Sequence, residues 1–345
     1  MKQVLLGVTL LLTSFALGQD SVLNLYIWSN YIDPTIIEDF EKEFNVTVNQ
    51  SFYENDDDML AKVEATGGGL YDIVVPSSAL VIIMKSKNLL EPLDPEKIPN
   101  LVNLGEQFRM MDFDPGNQYS VPYAFGTMGI IYNKTELGEI TDQSWSIIFD
   151  PAKQPGTFML LDSPTELIGG TLKYLGKPFN SDSVDDLKAA YEVLAEAKTR
   201  AVGFDGGLGG RNKVLAGQAL LSVGYSLDAF GEAVDESGIE LGYFVPKEGS
   251  EIFIDTMAIP VGAPNLDVAM EFLNFVLRPD IAARNVNFLY VGSPNEAAKN
   301  LIDPEILNNP VIYPSEEAMA LLEPLVDIGN ARQLRDELWN RLKAR

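Results

Sequence analysis

Apolar residues near the start of the chain alternate and then shift to helical spacing. Leu23, Leu25 and Ile27 recur every second residue, the period of a strand. Asp33-Pro34 then supplies a helix start, and Ile36, Ile37, Phe40 and Phe44 mark one apolar helical face. Trp28, Ser29, Asn30 and Tyr31 fall at the handover between the two. In open α/β sheets that carboxyl end of a strand is where ligands bind. Trp28 and Tyr31 can equally be core aromatics, since rings are buried more often than they bind.

The same alternation of periods continues. Residues 46–48 predict a second strand, and 56–63 a helix with acidic residues at its positive end. Glycines 67–69 break the chain before 71–75, a short apolar run typical of a strand buried on both faces. Ser77 and Ser78 can cap the next helix or contact a ligand at this second strand-to-helix junction. Residues 92–116, rich in Pro, Asn and Asp, predict surface connection, and 119–132 an extended first crossing between two lobes. Beyond it the pattern gives a strand at 158–161, helices at 165–175 and 184–199, a glycine-rich turn at 206–210, a helix at 212–218 and a strand at 219–223. Strands follow at 239–245 and 252–259, the second expected to return the chain to the first lobe. A helix at 267–277 and a last one carrying Leu334, Leu338 and Leu342 complete the reading. Such alternation predicts an α/β fold with mostly parallel sheets flanked by helices. The lobes are expected to comprise 19–127 with 256–299, and 128–255 with 300–345.

Composition narrows the function. The 345 residues, 46% of them hydrophobic, suffice for two domains with sizeable cores. Residues 1–18 read as an export signal: Lys2, an apolar run over 4–12, and Ala16-Leu17-Gly18 as a small-x-small cleavage site. No later stretch approaches about 20 uninterrupted apolar residues, so a soluble protein outside the cytoplasm is expected. There is no cysteine, hence no disulfide, no thiolate metal site and no lipid-attachable residue behind the signal, which favours a periplasm. The absence of histidine removes the usual general base, Ser-His-Asp triads and most zinc or copper sites. With 50 acidic against 25 basic residues, the charge of −25 argues against nucleic acid and anionic membranes. It favours cationic ligands modestly, although solubility alone accounts for it. The glycines at 206–210 lack the Gly-Lys-Ser/Thr of a phosphate loop. No cofactor or metal is expected.

Several spaced motifs then occur in order: Ile-Trp-Ser-Asn-Tyr-Ile at 27–32, Tyr-Asp-Ile-Val-Val-Pro-Ser at 71–77, Pro-Lys-Glu-Gly at 246–249, Asp-Thr-Met-Ala-Ile-Pro at 255–260, and Phe-Leu-Asn-Phe-Val-Leu-Arg-Pro-Asp at 272–280. Together they resemble the spermidine/putrescine-binding proteins of bacterial ABC importers, over essentially the whole mature chain. The resemblance implies a type II, two-lobed periplasmic receptor that closes on a polyamine and delivers it to membrane permease subunits, without enzymatic activity. It also implies aromatic contacts from Trp28, Tyr31, Tyr225 and Phe253, carboxylates from Glu166, Asp228 and Asp255, and polar contacts from Ser29 and Ser77. Four positions depart from the family: Asn30 and Ser163 stand where acids occur in relatives, and Ala79 and Val291 where tyrosines can. Tyr290, beside the last, can substitute if the loop shifts. An acid at 228 with Phe at 253 resembles the putrescine-binding members.

The residue chemistry agrees. A polyamine is an apolar chain with protonated nitrogens, so its receptor needs rings along the methylenes and carboxylates at the amines. Phe253 and Asp255 share one face of a strand. Other readings stay open: Glu166 can compensate a helix dipole, and Asp228 can cap a helix. A bilobal receptor for another solute, such as a different amine, a ferric ion or a sugar, or a glycosidase using two carboxylates, fits the same acids. A monomer is expected.

Overall fold

The computed structural model describes residues 21–53, 56–230 and 237–344; the expected export signal at 1–18 lies outside them. Leu23, Leu25 and Ile27 are fully buried in strand β1 (Ser21–Trp28). The helix Pro34–Phe44 starts at Asp33, whose carboxylate accepts from Thr35 N at 2.8 Å, and buries Ile36, Ile37 and Phe40. Asn45 ends it in the left-handed region, φ 54°, a conformation asparagine tolerates. Strand β2 (Val46–Tyr53) pairs in parallel with β1 and runs past the expected three residues. Its polar stretch Asn49-Gln50-Ser51 hides it from an apolar pattern because β2 is the sheet edge.

The remaining strands are β3 (Ile73–Val74), β4 (Ser120–Asn133), β5 (Phe158–Leu161), β6 (Gly203–Asp205), β7 (Leu221–Tyr225), β8 (Leu241–Phe244), β9 (Ser250–Ala258) and β10 (Leu322–Glu323). They follow the order β2-β1-β3-β9-β4-β7-β5-β6, with β10 on β9 and β8 on β4. Pairing is parallel among β1, β2 and β3 and among β5, β6 and β7, where helices make the crossovers. It is antiparallel wherever β4 meets β7, β8 and β9 and where β3 meets β9. Strand β4 bonds β9 over Ser120–Thr127 and then β7 and β8 over Met128–Asn133, so it crosses from one sheet region to the other. A register shift at Pro122, which has no N–H to donate, bends it on the way.

Two lobes result, each with its own core. Phe40, Phe272 and Phe275 pack behind β1 and β3, while Trp145, Phe158 and Leu221 fill the second lobe. Ile302, Ile306 and Ile312 pack with the first core, and Leu338, Trp339 and Leu342 close the second.

The pattern misplaced three elements. The glycines at 207, 209 and 210 open the helix Gly207–Leu215 instead of forming a turn. A β-carbon at Gly210 would collide with Ser222 of β7, so the glycines let the helix start lie against the strand. Strand β7 reaches Tyr225 instead of ending at 223. The helix Pro279–Leu289 lies outside the predicted elements, because a proline just after a helix reads as its end as readily as it reads as the first position of the next one.

Candidate functional site

The junction after β1 delivers its rings as expected. Trp28 stands half-buried, its Nε1 donating to the Val75 carbonyl at 3.1 Å and its ring 4.5 Å from that of Tyr53. Asn30 takes a left-handed turn, φ 54°, and sends Tyr31 inward. Tyr31 is buried and donates to Asp255 Oδ2 at 2.6 Å. Ser77 forms a β-bridge with Asp255, donates to Asp56 Oδ2, and caps the helix Ser78–Ser86 through Leu80 N at 3.3 Å. The first junction and the second therefore meet at one residue, Asp255, the first through its carboxylate and the second through its backbone. Ser29 and Asn30 are exposed.

A second group gathers on the other lobe. Tyr225 ends β7 and donates to Glu166 Oε1 at 3.2 Å, and Glu166 lies in the first turn of the helix Pro164–Tyr174, where its partner is the Ser163 hydroxyl. The Tyr225 ring meets Phe253 edge-to-face at 5.8 Å. Asp228 follows in a short 3-10 turn, where its carboxylate accepts from Tyr225 N at 3.2 Å. It is thus both a local cap and a buried acid beside the site. Phe253 lies over Gly126 of β4, where a β-carbon would run into its ring.

Strand β9 joins the groups. Glu251, Phe253 and Asp255 alternate onto one face, with Ile252 and Ile254 on the other. Burial raises the Asp255 carboxyl to about 7 against the Tyr31 hydrogen bond, and the charge of Asp56 adds to the rise. Burial likewise raises Asp228 to about 6, opposed by its backbone bond and by Arg211. Glu251 is pushed well above the usual carboxylate range by burial and by the charges of Glu166, Asp255 and Asp56. Among the described residues, Glu166, Asp228, Glu251 and Asp255 form no salt bridge. Buried carboxylates without a cation are costly, so this arrangement suits a positive ligand. No cluster of three or more acidic groups placed to hold a metal ion occurs among the described residues.

A family model described as bacterial extracellular solute-binding protein matches residues 35–312. The chain belongs to this family. It is therefore a solute-binding receptor of a transporter and not an enzyme. It is 34% identical to the putrescine/cadaverine-binding protein of Pseudomonas aeruginosa over all of both chains. It is 32% identical to the spermidine/putrescine-binding periplasmic protein of Salmonella typhimurium, over 95% of this chain and 93% of that one. Its fold superposes on the spermidine/putrescine ABC transporter substrate-binding protein PotD of Streptococcus pneumoniae with a TM-score of 0.83, at 30% identity over 94% and 99% of the two chains. The TpPotD lipoprotein of Treponema pallidum gives 0.84 at 31% identity over 94% and 100%.

In this receptor four neighbours of the site escaped the sequence reading. Glu251 had a visible signal, since it precedes Phe253 by two residues on the same strand. Tyr53 and Tyr123 had none: Tyr53 donates to Val75 O, and Tyr123 donates to Tyr31 O at 2.9 Å, contacts fixed only by the fold. Asp56 looked like helix-dipole compensation and instead lies beside Ser77 and Asp255. Of the family departures, Ser163 bonds Glu166, and Tyr290 stacks on Phe230 at 5.4 Å while Val291 is buried. Among the described residues no helix is long and apolar enough to cross a membrane.

Proposed function

We propose that this family member is an extracytoplasmic receptor for a polyamine of the putrescine or spermidine class, which it holds between its lobes and delivers to an ABC permease for import. The observation that carries the reading is the row of acids along and beside β9, interleaved with rings and forming no salt bridge among the described residues. Trp28, Tyr31, Tyr225 and Phe253 supply the faces that lie along methylenes and attract ammonium, an effect worth roughly 0.5–2 kcal/mol per ring. Asp255, Glu166 and Asp228 receive the amines, and Ser29, Asn30 and Ser77 contribute polar contacts at the rim. The names of the relatives support the ligand class.

In this reading residues 1–18 direct export, and the mature monomer works in the periplasm without a lipid anchor and without binding nucleic acid. Lobe one comprises 19–127 and 256–299, and lobe two 128–255 and 300–345. The packing of Ile302, Ile306 and Ile312 favours assigning that stretch to lobe one as well. Closure is a population shift driven by ligand contacts to both lobes.

Isothermal titration calorimetry with putrescine, cadaverine, spermidine and spermine tests the proposal. Saturable one-to-one binding of at least one is expected. Silence from all four overturns the polyamine assignment while leaving the receptor fold intact.

A further inference from the structure

Glu251 has no role in the motifs that identify the family, yet it is the most anomalous side chain of the site. It is 2% exposed and its Oε2 has no hydrogen-bond partner. It sits on the face of β9 that carries Phe253 and Asp255, and its electrostatic neighbours are Glu166 and Asp255. The strand beside it offers no cation: Glu323 of β10, its register partner, is itself engaged by Lys173 at 2.9 Å and by Phe179 N. A carboxyl oxygen placed this way has been removed from water without a hydrogen-bond partner in return.

We propose that Glu251, together with Glu166, receives one terminal ammonium of the ligand, while Asp255 with Tyr31 receives the other and the Phe253 ring lies along the methylenes between. The assignment rests on the polyamine reading above and specifies how that site measures its ligand. Four residues of strand separate Glu251 from Asp255, about 13 Å at the rise of an extended chain. With both nitrogens lying between the two carboxylates, charged hydrogen bonds of about 3 Å at each end leave roughly 7 Å between them. That is the reach of a putrescine- or cadaverine-sized diamine and is short for a triamine bound by both ends. Glu251 thereby supplies the negative charge that Asn30 and Ser163 do not.

The test compares wild type with Glu251→Gln, Glu251→Asp and Asp255→Asn by calorimetry against putrescine, cadaverine and spermidine, with circular dichroism as the control for folding. Wild type is expected to prefer a diamine over spermidine. Glu251→Gln, which keeps the shape and removes the charge, is expected to lose at least tenfold in diamine affinity while melting no lower than wild type. Glu251→Asp keeps the charge but withdraws it by one methylene, so the ratio of cadaverine to putrescine affinity is expected to rise. That ratio is readable even if the Gln variant folds poorly, and a purely structural role for Glu251 would leave it unmoved. Diamine binding by Glu251→Gln within twofold of wild type, with Asp255→Asn defective, overturns the assignment of Glu251 and leaves the polyamine reading standing. An unchanged ratio in Glu251→Asp, or a wild-type preference for spermidine, also overturns it. Failure of wild type to bind any of the three overturns both.

Discussion

Tyr31 and Asp255, 224 positions apart in sequence, are joined by a 2.6 Å hydrogen bond from the phenol to Oδ2 inside the protein. The bond ties the turn after β1 to the middle of β9, and it favours the ionised form of a carboxyl that burial otherwise holds neutral. Asp255 is thus kept near the edge of ionisation, ready to be charged by an arriving cation.

Asp255→Asn is expected to weaken polyamine binding by more than tenfold, because it leaves an ammonium without its charged acceptor. Tyr31→Phe keeps the ring and removes the donor. Its effect should therefore depend on pH: a clear loss of affinity near pH 7, recovering at pH 9, where Asp255 is ionised without help. Calorimetry at the two pH values decides the matter, and a loss equal at both would assign Tyr31 a contact of its own instead.

The raised carboxyls also set the pH dependence of the free receptor. Asp228 and Asp255 titrate near 6 and 7 when folded, above the ordinary aspartate value of 3.8. Between about pH 4 and 7 the folded state therefore binds more protons than the unfolded state, and stability falls as pH rises through that window. Urea denaturation of the ligand-free protein should give a higher midpoint at pH 5 than at pH 8. Glu251 is displaced in the same direction and adds to the trend. Ligand reverses it, since a bound cation favours the ionised acids. Binding at pH 7 should release protons, seen as a dependence of the calorimetric heat on the buffer's ionisation enthalpy. Affinity should rise from pH 5 to 8.

How much of this was legible follows from where each signal lies. Leu23, Leu25 and Ile27, or Ile36, Ile37 and Phe40, announce their elements because period and burial agree over a short window. Spaced motifs located the family, and through that resemblance pointed to Asp255 and Tyr225 as candidates. Other features have their causes across the fold. The polar run of β2 is a strand because β1 pairs with it, and Gly207 and Gly210 open a helix as glycines because Asp228 and Ser222 leave no room for a β-carbon there. Glu251 was readable from alternation alone, but an acid before an aromatic on a strand is ordinary until burial removes its partners. Tyr123 and Asp56 belong to the site only through contacts that no local pattern carries.

Trp28 is held by the Val75 carbonyl and the Tyr53 ring, and it packs at the edge of two cores. Trp28→Ala should therefore cost stability as well as affinity. Its exposure is partial, so the loss should be about 2 kcal/mol, below that for a fully buried ring. The variant should still unfold cooperatively while binding polyamine at least tenfold more weakly. Wild-type affinity in a destabilised protein would place Trp28 in the core and outside the site.

Gly207 offers a test of Asp228 that leaves its carboxyl in place. A β-carbon at Gly207 would collide with Asp228 Oδ2 and stand 2.9 Å from the ring of Tyr225, whereas one at Gly206 would meet nothing. Neither glycine needs a left-handed backbone, so alanine is tolerated by the chain at both. Gly207→Ala should displace the Asp228 carboxylate and tilt Tyr225, which in turn loosens its 3.2 Å bond to Glu166. A five- to twentyfold loss of affinity is expected, with Gly206→Ala indistinguishable from wild type. Because alanine adds helix propensity at the start of Gly207–Leu215, any fall in melting temperature should be small. If both alanines bind like wild type, Asp228 is acting only as the cap of its own turn, and the ligand ends at Glu166.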